Sequence, residues 1–280
     1  MSLVLIKTFL AIVETGSLVN ASQSLNITQS TVTARLKSLE QDVGQTLIYR
    51  LKSGVALTSS GVKFHRYAEA INNMWHQAVL ESSMPEGMES ICNLGCDYDL
   101  WPHIGRSASR VMRHRHPATA LTVHQADSQR LGEWLGLGNV DAALSYRQFP
   151  LPGLTAVELQ PERLELYSTQ PDTPVRSDPG YIYFDAGAEF GSQHAAEYAD
   201  AGVAKHTFGS ARSALDYLLD CGGSCYLPTP MAQNHLASGR LHAFPSSPAF
   251  SRRVFLITNN TALPNWPWLP ELVLSTSHQA

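Results

Sequence analysis

The first eighty residues alternate apolar and polar positions at helical spacing, broken at short intervals by small polar residues and glycine. Phe9, Leu10 and Val13 recur three and four apart, which predicts an amphipathic helix over residues 2–14. Thr15 and Gly16 stop it, and Ser17 is a suitable N-cap for a second helix over Leu18–Leu25. Ala21 is small enough to let helices cross closely. Asn26 begins a turn with Ile27 as its buried plug, and Thr28 caps a third helix that runs through Val43 to Gly44. Val32, Leu36 and Leu39 take the inward face of that helix. Gln29, Ser30, Thr31, Thr33 and Arg35 are left outward or sideways on its N-terminal half. Two short helices joined by a tight turn, the second opening on Gln, Ser and Thr, present a helix to the major groove of DNA. A plain amphipathic bundle shares the periodicity, and the segments beyond Gly44 separate the two.

Those segments are a wing and a long helix. Leu47–Arg50 and Val55–Leu57 predict two short strands around Lys52-Ser53-Gly54, with Arg50 and Lys52 at the edge where phosphate contacts fall. Thr58 caps a helix that carries Val62, Phe64, Tyr67, Ala68, Ile71, Met74, Trp75 and Ala78 at spacings of three and four. This seam needs a cover, either a partner helix or the chain's own C-terminal part.

Met84-Pro85-Glu86-Gly87 is a breaker cluster and predicts a hinge. Beyond it strands and helices alternate. Ser90–Gly95, Leu121–Gln125 and Asp141–Ser145 predict strands, with helices over Leu100–His114 and Arg130–Leu137 between them. A second such unit has strands at Leu164–Thr169, Tyr181–Phe184, Ser224–Leu227 and Val254–Thr258, and a helix at Ala211–Asp220. Trp266–Thr276 predicts a helix returning to the first lobe. The expectation is a mainly parallel, doubly wound α/β sheet in each of two lobes. The domain expectation is 1–58 for the winged helix-turn-helix, 59–86 for the linker helix and hinge, and 87–280 for a two-lobed domain. Lobe 1 takes 89–157 and 260–280, and lobe 2 takes 158–259.

Several stretches carry a family likeness: Phe9-Leu10-Ala11-Ile12-Val13, Gly16-Ser17, Ala21-Ser22-Gln23-Ser24-Leu25, Thr28-Gln29-Ser30-Thr31-Val32-Thr33, Leu39-Glu40 and Leu57-Thr58-Ser59-Ser60-Gly61. Together they resemble the LysR-type transcriptional regulators over the whole chain. Leu100-Trp101 and the run Asp185–His194 point to a smaller branch of that family. The resemblance implies a winged helix-turn-helix, a dimerising linker helix and a C-terminal domain like the periplasmic binding proteins. It further implies a homodimer that assembles into a homotetramer, double-stranded promoter DNA and a small-molecule effector as partners, with RNA polymerase as a further one, and no cofactor. Many members carry Ser-Arg where this chain has Thr33-Ala34, with its arginine one place later at Arg35.

Ligands in clamshell folds sit at strand C-terminal ends beside helix N-termini. That rule nominates Cys96, Asp97 and Tyr98 after the first strand, Ser128 after the second, and Ser145, Tyr146 and Arg147 after the third. In lobe 2 it nominates Phe184, Asp185, Gly209 and Ser210. Asp97 disfavours an anionic effector unless Arg147 balances it. With Asp185 it favours a cationic or amino-bearing one; the plain alternative is that both acids are solvated helix caps.

Charge is distributed unevenly along the chain. The total is a formal −4, yet residues 1–66 hold seven Lys and Arg against three acids. A basic head on an acidic body fits DNA contact at one end only. No apolar run is long enough for a membrane span and no signal-peptide pattern opens the chain, so the expected location is the cytoplasm. The cysteines fall in two pairs, Cys92/Cys96 and Cys221/Cys225, off the spacing of zinc knuckles and without matching histidines. They read as buried small hydrophobes, with a redox switch as the alternative. No G-x-S-x-G elbow, Walker loop or Gly-rich dinucleotide turn occurs where a strand meets a helix, and His114, His116 and His194 form no metal motif. The reading is a regulator, not an enzyme. Its rival is a small-molecule binding protein with a vestigial helix-turn-helix.

Overall fold

The structure, a computed structural model, describes residues 2–51, 54–171, 179–198, 204–271 and 273. Contacts divide it into two compact units, one of Met1–Glu86 with Gly136–Asn139, the other of Gly87–Leu135 with Val140–Ala280.

In the first unit, helices α1 (Leu3–Thr15), α2 (Leu18–Ser24) and α3 (Gln29–Val43) fold around Phe9, Ile12, Ala21, Val32, Leu36 and Leu39. Each boundary has a local cause. Gly16 and Gly44 end α1 and α3 in the left-handed conformation that a Cβ disfavours. The Ser17 and Thr28 side chains accept from Val19 N and Thr31 N, satisfying donors of the first turns. Asn26 turns the chain at φ 52°, tolerable for its short polar side chain, and Ile27 is partly buried beneath the turn. The wing is β1 (Ile48–Leu51) paired antiparallel with β2 (Gly54–Leu57). Glu40 fixes it to α3, accepting from Leu47 N at 2.8 Å and Ile48 N at 3.3 Å. The expected Lys52 contact lies outside the described residues.

Helix α4 (Ser59–Ser82) starts at Thr58, whose hydroxyl accepts from Gly61 N and donates to Thr46 O. The expected single seam is two surfaces. Phe64, Ala68 and Ile71 pack on the first unit's core, with Phe64 edge-on to Phe9 at 5.3 Å. Val62, Tyr67, Met74 and Trp75 are each more than half exposed.

The second unit holds two sheets. Lobe 1 contains β3 (Ser90–Asp97), α5 (Arg106–Arg115), β4 (Thr119–Ala126), α6 (Ser128–Leu137), β5 (Ala142–Ser145) and β6 (Leu154–Glu158). Lobe 2 contains β7 (Glu162–Ser168), β8 (Tyr181–Phe184), α7 (Ala188–Glu197), β9 (His206–Phe208), α8 (Ala211–Cys221), β10 (Ser224–Pro228), α9 (Thr229–Ala237), β11 (His242–Ala243) and β12 (Phe250–Arg252). The chain then re-enters lobe 1 as β13 (Phe255–Asn259). The lobe 1 sheet runs β4-β3-β5-β13-β6, and the lobe 2 sheet β11-β7-β10-β8-β9 with β12 also on β7.

Three expectations need correction. Each sheet is mixed: β13 lies antiparallel between β5 and β6, and β7 is antiparallel to β10, β11 and β12. The strand expected in lobe 2 at Val254–Thr258 is β13 of lobe 1, so lobe 2 closes near Arg252. The expected helix over Leu100–His114 opens as one π-turn, Trp101–Gly105, before α5. Of the expected C-terminal helix, 269–271 and 273 are helical, 266–268 are not, and 272 and 274–276 fall outside the described residues. Two segments cross between lobes, β6 to β7 and β12 to β13. They bond to each other through Leu159 N and Val254 O at 2.9 Å, and through a bidentate Arg253–Glu158 pair.

Gly61 marks where the fold has least room: a Cβ there meets Leu47 O at 2.0 Å. Gly61→Ala is expected to destabilise the winged unit by about 1–3 kcal/mol, as overpacking against backbone does. Chemical denaturation of the full chain, followed by circular dichroism, reads this as an earlier first transition; an unshifted transition contradicts the close approach.

Candidate functional site: a recognition helix and an interlobe cleft

Two places gather chemistry. The first is the N-terminal half of α3. Gln29 and Ser30 are exposed, and Thr31 and Thr33 half-exposed. The Thr28 hydroxyl lies 2.8 Å from both Ser30 Oγ and Thr31 Oγ1, so the first turn is braced before anything docks. Arg35 is half-buried and reaches back to α1, its Nη1 3.5 Å from Thr8 Oγ1. Ala34 is exposed and offers only a methyl group. Arg50 is exposed on the wing beside Tyr49 and Leu51, both more than half exposed.

The second place is where the lobes face each other. Asp97, at the end of β3, is 8% exposed. Its carboxylate accepts from Ser128 Oγ at 3.1 Å and Asp99 N at 3.2 Å. Ser128 Oγ in turn accepts from Ser145 Oγ at 3.1 Å, and Ser145 Oγ accepts from Arg147 N. The nominated Asp97, Ser128 and Ser145 therefore share one polar chain. Burial pushes the Asp97 carboxyl up to about 6, against the opposing pull of the Arg252 guanidinium. Tyr98 is half exposed beside it. Ser210 belongs to the same constellation from lobe 2, and Gly209 precedes it, exposed.

The nominations of Cys96, Phe184 and Asp185 are corrected. Cys96 is fully buried in the lobe 1 core with Cys92 and Leu94, on the opposite side of the strand from Asp97. Phe184 is fully buried in the lobe 2 core. Asp185 is exposed and accepts from Gly187 N within its own loop, away from Asp97. Arg147 is exposed, and the base that balances the acids is Arg252. Tyr146 is buried with its hydroxyl on both Glu162 carboxylate oxygens, at 3.1 and 3.2 Å.

The cleft also holds four residues absent from the nominations. Asp99 is 2% exposed. It reaches across from lobe 1 and accepts from Ser210 Oγ and Ala211 N at 2.9 Å and from Arg212 N at 3.3 Å. Arg252 lies 3.8 Å from Asp99 and stacks over Tyr146 with its guanidinium carbon 3.3 Å from the ring centre. Its Nε and Nη1 find no hydrogen-bond acceptor among the described residues. Glu162 and His103 face each other at 2.9 Å, both buried. Asp99 carried a signal, two places after a nominated acid; Arg252, Glu162 and His103 carried none. A hollow of about 460 Å³ between α5 and β4, lined by Ser109, Met112, Arg113, Pro117, Thr119 and Leu121, shares no residue with this cleft.

The four thiols are free. Burial pushes Cys92 up to about 12 and raises Cys96 and Cys225 further, while Cys221 is exposed at the end of α8. Among the described residues no cluster of His, Cys, Asp or Glu is placed to hold a metal.

Asp97 sets a pH dependence. Its folded value, about 6, lies above the ordinary 3.8, so the folded chain holds the proton more tightly than the unfolded one. Stability from this group is present below the ordinary value, falls as pH rises towards about 6, and is absent above. Asp97→Asn is expected to flatten that fall and to raise the melting temperature at pH 8. An unaltered pH profile in the variant assigns the slope elsewhere.

The two parts have known counterparts. Residues 3–62 match the family described as bacterial regulatory helix-turn-helix protein, lysR family, and residues 89–265 match the LysR substrate binding domain. The regulator HdfR of Escherichia coli O17:K52:H18 is 26% identical over 256 residues, covering 90% of each chain, and HdfR of Escherichia fergusonii matches to the same extent. Among solved structures, CbnR complexed with its target DNA is similar with a TM-score of 0.67 at 17% identity, covering 100% of this chain and 99% of that one. ArgP from Mycobacterium tuberculosis is similar at 0.66 and 17%, covering 98% and 96%. LysG from Corynebacterium glutamicum is similar at 0.63 and 18%, covering 100% and 99%. The chain belongs to the LysR family of helix-turn-helix transcriptional regulators, and is a DNA-binding regulator with a C-terminal substrate-binding domain rather than an enzyme.

Proposed function

We propose that the chain reads a promoter site through α3 and answers to a small effector bound between the lobes of its C-terminal unit. The exposed, braced first turn of α3 carries the reading. Gln29, Ser30, Thr31 and Thr33 offer donors and acceptors matched to base edges. Arg50, with Lys52 beside it in sequence, supplies phosphate contacts from the wing, and Arg35 joins them by releasing Thr8. The effector reading rests on the buried polar chain Asp97–Ser128–Ser145 at strand ends and on the unmatched donors of Arg252. LysG, similar in fold, was solved with effector arginine bound.

The bare stripe Tyr67, Met74 and Trp75 supports a homodimer in which α4 packs on its copy, burying apolar side chains that a monomer leaves in water. Two dimers joining through their C-terminal units complete a homotetramer. RNA polymerase at the promoter is a further partner. Among the described residues no single helix is long and apolar enough to cross a membrane, and a promoter-binding chain works in the bacterial cytoplasm.

DNase footprinting on the gene's own upstream DNA tests the regulator. Gln29→Ala or Thr33→Ala is expected to weaken specific binding by about 1–3 kcal/mol and spare random DNA. Arg50→Ala is expected to weaken both and flatten the salt dependence. Equal losses on cognate and random DNA from Gln29→Ala would sink the base-reading role. For the dimer, Tyr67→Glu with Met74→Glu is expected to lower the mass seen by light scattering to a smaller assembly without lowering helix content. An unchanged mass removes this face from the interface.

A further inference from the structure

Helix α8 of lobe 2 is capped by Ser210, and the free amides of its first turn are suited to receive a negative group. In this chain the place is filled from inside. The Asp99 carboxylate, carried by the loop after β3 of lobe 1, accepts from Ser210 Oγ, Ala211 N and Arg212 N, with Arg252 3.8 Å away. At 2% exposure it is sealed from water, and its partners lie more than 110 residues along the chain, in the opposite lobe. Nothing local requires this contact. Ser210 already caps the helix by accepting from Ser213 N, and Asp97 already receives Asp99 N.

We propose that Asp99 is a built-in anion that latches the two lobes together without a ligand. Its carboxylate occupies the first-turn amides of α8 that would otherwise be open to an anionic group. The chemistry has two consequences. Lobe closure is intrinsic, because the charge that binds the helix dipole and Arg252 is covalently part of the facing lobe and loses no association entropy. An anionic effector must displace Asp99 to reach α8, whereas a neutral or cationic one enters beside Asp97 unopposed. The proposal deepens the effector reading and rests on it only for what the latch controls; the latch itself is a property of the free chain.

The test uses the full-length protein and no effector. Asp99→Ala removes the carboxylate and leaves room for formate or acetate. Amide hydrogen exchange at Ala211 and Arg212 is expected to quicken at least about tenfold, and the melting temperature to fall by roughly 5 °C. Sodium formate or acetate is expected to restore both, sodium chloride of equal ionic strength neither, and the native chain to respond to none of them. Asp99→Asn, isosteric and retaining one acceptor, is expected to lie between and to keep the comparison open if the alanine variant fails to fold. Unchanged exchange at Ala211 and Arg212 in both variants overturns the latch. So does equal protection of those amides by formate in the native chain, which would mean that the seat is vacant. Failure of every candidate effector to bind the native chain would count against the effector reading while leaving these exchange results standing.

Discussion

A carboxylate leaves water only when donors receive it, and that constraint organises the C-terminal unit. Three acids, Asp97, Asp99 and Glu162, are buried where the lobes meet. One arginine, Arg252, stands among them. The remaining compensation comes from hydroxyls and amides: Ser128 for Asp97, the first turn of α8 for Asp99, the Tyr146 phenol for Glu162. Several of these donors sit across the interlobe boundary from the acid they serve. Each such pair opposes separation of the lobes, because opening breaks the hydrogen bonds that offset the carboxylate's lost hydration. The crossing segments reinforce the arrangement, since Leu159 and Val254 bond directly and Arg253 clasps Glu158 on the outside.

The N-terminal unit was legible from sequence because its determinants are local. Ser17, Thr28 and Thr58 cap amides within three residues of where they stand, and Gly16 and Gly44 act on their own backbone. The strands of the C-terminal unit were legible one at a time, but their assignment to a sheet was not. Val254–Thr258 has the apolar character of a core strand in either lobe, and only its pairing with β5 and β6 decides. Position within a strand was partly readable: Cys92, Leu94 and Cys96 alternate on one face, which separates Cys96 from Asp97 by pleat alone. Arg252, Glu162 and His103 come together across 59 to 149 positions of chain, and no spacing rule reaches that far.

The long helix shows how periodicity underdetermines packing. Its apolar positions read as one stripe, yet Phe64, Ala68 and Ile71 pack on the winged unit while Tyr67 and Met74 remain bare. A repeat of three and four identifies apolar positions but not how many neighbours share them. The inward set gives the helix its attachment to the first unit's core. The bare set gives it an unfilled surface on the adjoining side.

The thiols add a practical consequence. Cys92, Cys96 and Cys225 are sealed and held protonated, whereas Cys221 is exposed at the last residue of α8, the helix whose first turn receives Asp99. The chain thus carries a single addressable attachment point on the element that reports lobe closure. A fluorophore or spin label placed there follows the motion of that helix in the unaltered chain, with no cysteine to remove and none to introduce.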